Sequence, residues 1–154
     1  MSAQKLLLDY VYEQETKNAD RVYLTQPTGG GAVVDYTWKQ TLDRARRMAT
    51  YLQAQGLERG DRVGIISKNC AHFIMTELAI WMAGYATVAL YPTINGETVS
   101  YILDHSGAKL VFVGKLDTWD EIKTGIPGET TCVALPLAPK TDSVSFDSTV
   151  AETA

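Results

Sequence analysis

The sequence has little of what metal-binding and acid–base chemistry is usually built from: two histidines and two cysteines in 154 residues. Cys70 and His72 are two apart, which on a helix places them on different faces, and neither histidine stands at metal-ligand spacing from another donor. His72 is therefore expected in a packing or helix-surface role, and His105, between Asp104 and Gly107, near a helix end where the dipole favours it. Cys70 and Cys132 lack the dense spacing of a disulfide framework and read as buried, reduced thiols of a cytoplasmic protein. No Gly-x-Gly-x-x-Gly occurs, which counts against a dinucleotide site. There is no basic stripe either. With 14 Lys and Arg against 18 Asp and Glu, a net charge of -4, the chain has no footprint for nucleic acid and no polybasic patch for a membrane surface. The first residues, Met1 to Asp9, hold too short an apolar core for a secretory signal, no small-residue cleavage site follows, and no transmembrane segment is expected.

What is present is ordinary core material. At 45% apolar residues, a chain of this length buries about 68–70% of its unfolded surface, enough for one core. Leu7, Leu8, Val11 and Tyr12 repeat at helical spacing within Lys5 to Asn18. Val22 to Thr25 and Val33 to Tyr36 are β-prone runs around Pro27-Thr28-Gly29-Gly30-Gly31, a hairpin signal. These glycines are not a phosphate loop, because Ala32-Val33-Val34 follows where Gly-Lys-Ser/Thr and a helix are required. Thr37 and Gln40 form a capping box for a helix from Trp38 to about Gln55, ended by Gly56. Its Arg44, Arg46 and Arg47 read as a solvated face, with Asp43 and Arg47 paired at i,i+4.

From Arg62 the chain alternates. Strands are expected at Arg62 to Ser67, Thr87 to Leu90, Leu110 to Val113 and Thr131 to Ala134. Helices are expected from Asn69, as cap, to Ala83, over Glu97 to Ser106, and more weakly over Asp117 to Thr124. Short apolar strands separated by helices predict an α/β fold: three layers, a mainly parallel sheet flanked by helices, and a small antiparallel hairpin near the N-terminus. The helix ending at Ala83 is apolar nearly all round, with Phe73, Ile74, Trp81 and Met82. It is expected between layers, and any surplus apolar surface is expected to drive self-association. Beyond Pro136 the composition turns to Pro, Ser, Thr, Asp and Ala. Residues 1–135 thus read as one α/β subdomain and 136–154 as a linker or loop leading onward.

Open parallel sheets bind ligands at the carboxyl ends of their strands. Here those ends offer Ser67, Lys68 and Asn69, then Thr93, then Lys115. This is a candidate crevice for an anion, competing with a bland reading as caps and turns. No catalytic, cofactor-binding or metal-binding residue can be assigned.

Two phrases in order carry more specificity than any single group. Asp35-Tyr36-Thr37-Trp38 leads to Leu57-Glu58-Arg59-Gly60-Asp61-Arg62-Val63-Gly64-Ile65. Then Leu78-Ala79-Ile80-Trp81-Met82-Ala83-Gly84-Tyr85-Ala86-Thr87-Val88-Ala89-Leu90-Tyr91-Pro92-Thr93 runs on to Ser100 through Val113. Over about Tyr36 to Gly114 the chain resembles the N-terminal part of the AMP-forming acyl-CoA synthetases, members of the adenylate-forming superfamily, and the wording at Leu90 to Thr93 is most like the long-chain fatty-acid branch. The resemblance implies a parent ligase that uses ATP, Mg²⁺ and coenzyme A. Fatty carboxylate attacks the α-phosphate to give acyl-adenylate and pyrophosphate, and the thiolate of coenzyme A then displaces AMP. That family's phosphate loop with its Lys, its adenine contacts, its Mg²⁺-binding Glu and its late catalytic Lys have no counterpart here. The expectation is a scaffold fragment, inactive by itself and with no cofactor bound. The alternative is a stand-alone flavodoxin-like binding or interaction module using the crevice near Ser67 and Thr93.

Overall fold

The computed structural model describes residues 3–154. In chain order its elements are α1 (Leu7–Asn18), β1 (Val22–Gly29), β2 (Ala32–Thr37), α2 (Trp38–Gln53), β3 (Arg62–Ile66), α3 (Ala71–Ala83), β4 (Ala86–Leu90), α4 (Gly96–Ser106), β5 (Leu110–Val113), α5 (Trp119–Ile122) followed by a 3₁₀ turn (Lys123–Gly125), β6 (Thr131–Ala134), β7 (Val144–Ser145) and α6 (Phe146–Glu152).

Strands β3 to β7 form one sheet in the order β4-β3-β5-β6-β7, every neighbouring pair parallel. Apolar strands paired in parallel need cover on both faces, and side-chain alternation divides the core accordingly. Val63, Ile65, Leu110, Phe112 and Val133 face a layer made by α2, α3 and α6. Ile66, Val111 and Val113 face α4 and α5 through Val99, Leu103 and Ile122. The expected three layers and parallel sheet are present, with one strand more than the four read from sequence. Helix α1 buries no residue fully. It lies on α2, with Leu8 and Val11 half-buried against the core and Glu15 in a forked pair with Arg46, one arm at 2.8 Å.

The antiparallel β1–β2 hairpin is longer than its β-prone runs, because pairing continues past Pro27 to Gly29 opposite Ala32. It is held to α2 by Tyr23 stacked on Trp38, ring centroids 3.7 Å apart. The capping box at α2 is as read: the Gln40 N–H donates to Thr37 Oγ1 and the Thr37 N–H to the Gln40 carbonyl oxygen Oε1. Gly60 and Gly84 both take positive φ, at 86° and 90°, which side-chain-bearing residues rarely adopt. The Gly60 N–H donates to the Gly84 carbonyl at 2.9 Å, fastening the loop before β3 to the end of α3.

Two sequence readings need correction. Asn69 does not cap α3; Cys70 is the N-cap residue and supplies no side-chain bond. The first amide of the helix, Ala71 N–H, is instead taken by the Gln26 side chain from the hairpin at 2.8 Å, a long-range cap that no local pattern announces. The stretch after Pro136, loop-like in composition, contains β7 and α6. Phe146 is fully buried and Thr149 nearly so, and α6 seats on α2, where Arg47 Nη1 donates to the Thr153 carbonyl at 2.7 Å. Pro and Ser enrichment hid a short apolar pattern at Phe146, Thr149 and Val150. The thiols of Cys70 and Cys132 are both free but half-buried rather than fully buried, and burial pushes the Cys132 thiol up.

Truncating Phe146 to Ala removes the anchor of α6. The expected cost is about 3–5 kcal/mol, read by urea unfolding. A change below the range of an ordinary surface substitution would show that α6 does not contribute to the core.

Candidate functional site

The strand order places β3 first, β4 on one side of it and β5 on the other, so consecutive crossovers leave β3 in opposite directions. That makes the carboxyl ends of β3 and β5 the switch point at which an open α/β sheet offers a crevice. The loops there carry Ser67-Lys68-Asn69 and Gly114-Lys115, three of whose residues the structure brings together. The Ser67 hydroxyl donates to the Lys68 carbonyl at 2.6 Å and accepts the Lys115 N–H at 3.1 Å. The Lys68 N–H donates to the Lys115 carbonyl at 2.9 Å, and the Lys68 ammonium pairs with Asp117.

The two loops are thereby laced to each other. A methyl group added at Gly114 would overlap Ser67 Oγ, so glycine is needed there for the close approach. Asn69 and Thr93 are not drawn in: both are exposed, and no side-chain hydrogen bond joins either to Ser67, Lys68 or Lys115 among the described residues. Of the five residues read as a crevice, three are a structural tie and two stand on exposed turns. The cation of Lys68 is already matched by a carboxylate. Among the described residues no group of three or more His, Cys, Asp and Glu could hold a metal ion. Holding a triphosphate takes several converging amides or cations, and this crevice presents its amides to its own loops.

A hollow of about 690 Å³ lies at the opposite end of the sheet, between the start of β5, the end of α4 and the loop before β6. Tyr101, Asp104, Lys109 and Glu129 line it. It sits where strands begin and helices end, away from the switch point, and its mixed charges converge on no single atom.

His72 is packed as expected. It is 3% exposed, edge-on to the rings of Tyr36 and Phe146 at 5.6 and 5.1 Å. Its Nε2 has no hydrogen-bond partner among the described residues, the Asp147 carboxylate being 3.7 Å away. Burial lowers its pKa, with Asp147 opposing and Arg44 adding to the shift. Its neighbours from the other packed elements are thus Tyr36 on β2, Arg44 on α2 and Asp147 on α6. His105 is exposed in the last turn of α4 and stacks on Tyr101.

With the geometry in place, comparison with known proteins decides the family. Residues 11–154 match the AMP-binding enzyme family. The chain belongs to that family. Among curated relatives, it is 35% identical over 75 residues to fatty acyl-CoA synthetase A of Dictyostelium discoideum, covering 47% of this chain and 11% of that protein. It is 30% identical over 97 residues to a peroxisomal acetate/butyrate–CoA ligase of Arabidopsis thaliana, covering 61% of this chain and 17% of that one. An anthranilate CoA ligase solved with anthranoyl-AMP shares the fold, with a TM-score of 0.82 at 18% identity over 99% of this chain and 29% of that chain. The chain therefore spans only a small part of the relatives it matches. No helix among the described residues is long and apolar enough to cross a membrane.

Two outcomes are expected. Ser67→Ala leaves the Lys115 N–H without its buried acceptor and destabilises the fold by about 1–3 kcal/mol in urea unfolding, and an unchanged midpoint would show that the loops are not held by this hydroxyl. For His72, the folded-state pKa lies below the unfolded value of 6.5, so folding excludes a proton. Its contribution is complete above that value and is lost as the pH falls from there through the lowered folded value. His72→Gln flattens this part of the stability profile, and an identical slope in both proteins would contradict the assignment.

Proposed function

We propose that these residues form the N-terminal scaffold of a long-chain fatty-acid CoA ligase. The observation that carries the reading is the family match over residues 11–154; the name of the Dictyostelium relative supports a fatty acyl substrate. In the proposed parent reaction a carboxylate oxygen attacks the α-phosphorus of ATP, the bond to the β-phosphate breaks, and pyrophosphate leaves. The sulfur of coenzyme A then attacks the acyl carbon and AMP departs. Adenylation is needed because a carboxylate is a poor acyl donor until it carries a leaving group.

The residues described here do not fit Mg²⁺ or the triphosphate, since no metal-ligating cluster is present among them and the polar atoms of the switch-point crevice bond to one another. Those roles, and the binding of coenzyme A, are assigned to the rest of the parent ligase, so the 154 residues alone are read as inactive. A cytoplasmic setting belongs to the same proposal, resting on two unpaired thiols. So does self-association through the half-buried side of α3 around Trp81 and Met82.

The strand order itself is that of flavodoxin-like sheets, which is the one observation favouring a stand-alone binding module. A ligand at that crevice would have to displace the Ser67–Lys115 tie.

The experiment is pyrophosphate exchange with ATP, Mg²⁺ and a long-chain fatty acid, run on the 154-residue chain and on a longer ligase containing it, with calorimetry of Mg-ATP on the short chain. Exchange is expected only in the longer protein, long-chain acids outrunning acetate. Micromolar ATP binding or exchange by the short chain would contradict the scaffold reading, and a preference for acetate would contradict the substrate class.

A further inference from the structure

His72 is walled in by three elements besides its own helix. Tyr36 of β2 and Phe146 of α6 meet its ring at interplanar angles of 89° and 88°. Arg44 of α2 lies over the same Tyr36 ring, 5.1 Å from its centroid, and the Asp147 carboxylate of α6 stops 3.7 Å from Nε2. β1 adds only the uncharged Gln26, bonded to the neighbouring Ala71 N–H. The ionisable groups facing the imidazole are therefore Tyr36, Arg44 and Asp147, and none of them hydrogen-bonds to Nε2 among the described residues.

That surrounding suits a neutral ring only. In an imidazolium both ring nitrogens carry hydrogens, so Nε2 becomes a charged donor, buried with no acceptor in reach and with the like charge of Arg44 nearby. Asp147 is the one opposing charge. Its side chain is 68% exposed, so water screens it, and burial outweighs it in lowering the His72 pKa. Relief requires water at the ring, and the walls differ in how firmly they are held. β2 is paired along its length with β1, and α2 and α3 carry six and seven buried residues against the two of α6. α6 is only seven residues long, too short to persist by itself in water, and β7 meets β6 at Val144 and Ser145 alone. Phe146, Thr149, Val150 and the Arg47 bond to the Thr153 carbonyl seat this segment, and Phe146 is the residue that covers His72.

We propose that β7 and α6, residues 144–152, form an acid-released flap whose catch is the contact between His72 and Phe146: protonation of the imidazole lifts the flap off α2 and His72 while the core around β3 and β5 stays folded. Asp147 leaves with the flap, and the hollow of about 260 Å³ that it walls with Leu135, Lys140 and Ser145 at the carboxyl end of β6 opens with it. Every group of the catch lies between Tyr36 and Asp147, and the inference stands whichever acid the parent ligase activates.

The test is native-state hydrogen exchange of the 154-residue chain at about pH 8 and about pH 5, expressed as protection factors so that the intrinsic pH dependence of exchange cancels. The amides of Thr149 to Thr153 are expected to be less protected than those of Ile65 and Phe112 at both. They are expected to lose up to about 30-fold of their protection in acid, since each pH unit below the free value of 6.5 is about tenfold in an opening that exposes the ring. His72→Gln, which cannot take the proton, should remove most of that loss. Independently of how that variant folds, proton NMR of the unaltered chain follows the His72 C2–H resonance, which is expected to titrate below 6.5 and to carry the Phe146 ring resonances with it. Protection in α6 equal to that of Ile65 and Phe112 would mean that the segment leaves only with global unfolding, and would overturn the proposal. So would an acid loss that persists in His72→Gln, protection that rises in acid as an ion pair with Asp147 forms, or a His72 titration that leaves the Phe146 ring unmoved.

Discussion

The central strands β3 and β5 must be kept dry on both faces, and most of the architecture answers that requirement. Val63, Ile65, Ile66, Leu110, Val111, Phe112 and Val113 are all essentially buried. Alternation sends neighbours along each strand to opposite sides, so no single layer of helices can cover them. Helices α2, α3 and α6 take one side and α4 with α5 the other. Parallel pairing follows, because each crossover has to pass over a face and brings a helix with it. Phe146 shows how far the requirement reaches: a helix near the end of the chain is drawn back to complete the cover over a sheet begun at Arg62.

The same constraint fixes what the carboxyl ends of the strands can do. With both faces occupied, polar residues collect in the loops, and the loops after β3 and β5 meet at the switch point. In this chain they spend their polar atoms on each other. Ser67 binds both Lys68 and Lys115, and Lys68 is neutralised by Asp117. The crevice that the strand order creates is therefore a brace between the loops after β3 and β5.

How much of this was legible in the sequence depended on whether the cause was local. The strands at Arg62, Thr87 and Leu110 and the capping box of Thr37 and Gln40 are each set by a few neighbouring residues, and they read correctly. Gln26 capping α3 was not legible, because its partner Ala71 is supplied by tertiary packing; local logic chose Asn69, the nearest residue of capping type. Helix α6 was masked by composition, since only Phe146, Thr149 and Val150 carry its buried pattern. For the candidate site, the sequence named three strand-end loops, of which the structure brings together those after β3 and β5 and leaves Thr93 apart. Whether Ser67, Lys68 and Lys115 face a ligand or one another depends on how closely Gly114 lets the loops approach, which no residue pattern encodes.

A sheet covered on both faces holds the described residues together, and native-state hydrogen exchange tests this directly. The amides of Ile65, Ile66, Phe112 and Val113 are expected to be the slowest to exchange, opening only with global unfolding. Helix α6 should come next, and α1 and the tip of the hairpin should be fastest. If the β3 and β5 amides exchanged as readily as those of α1, which buries no residue fully, the two-faced core would not be what stabilises this fold.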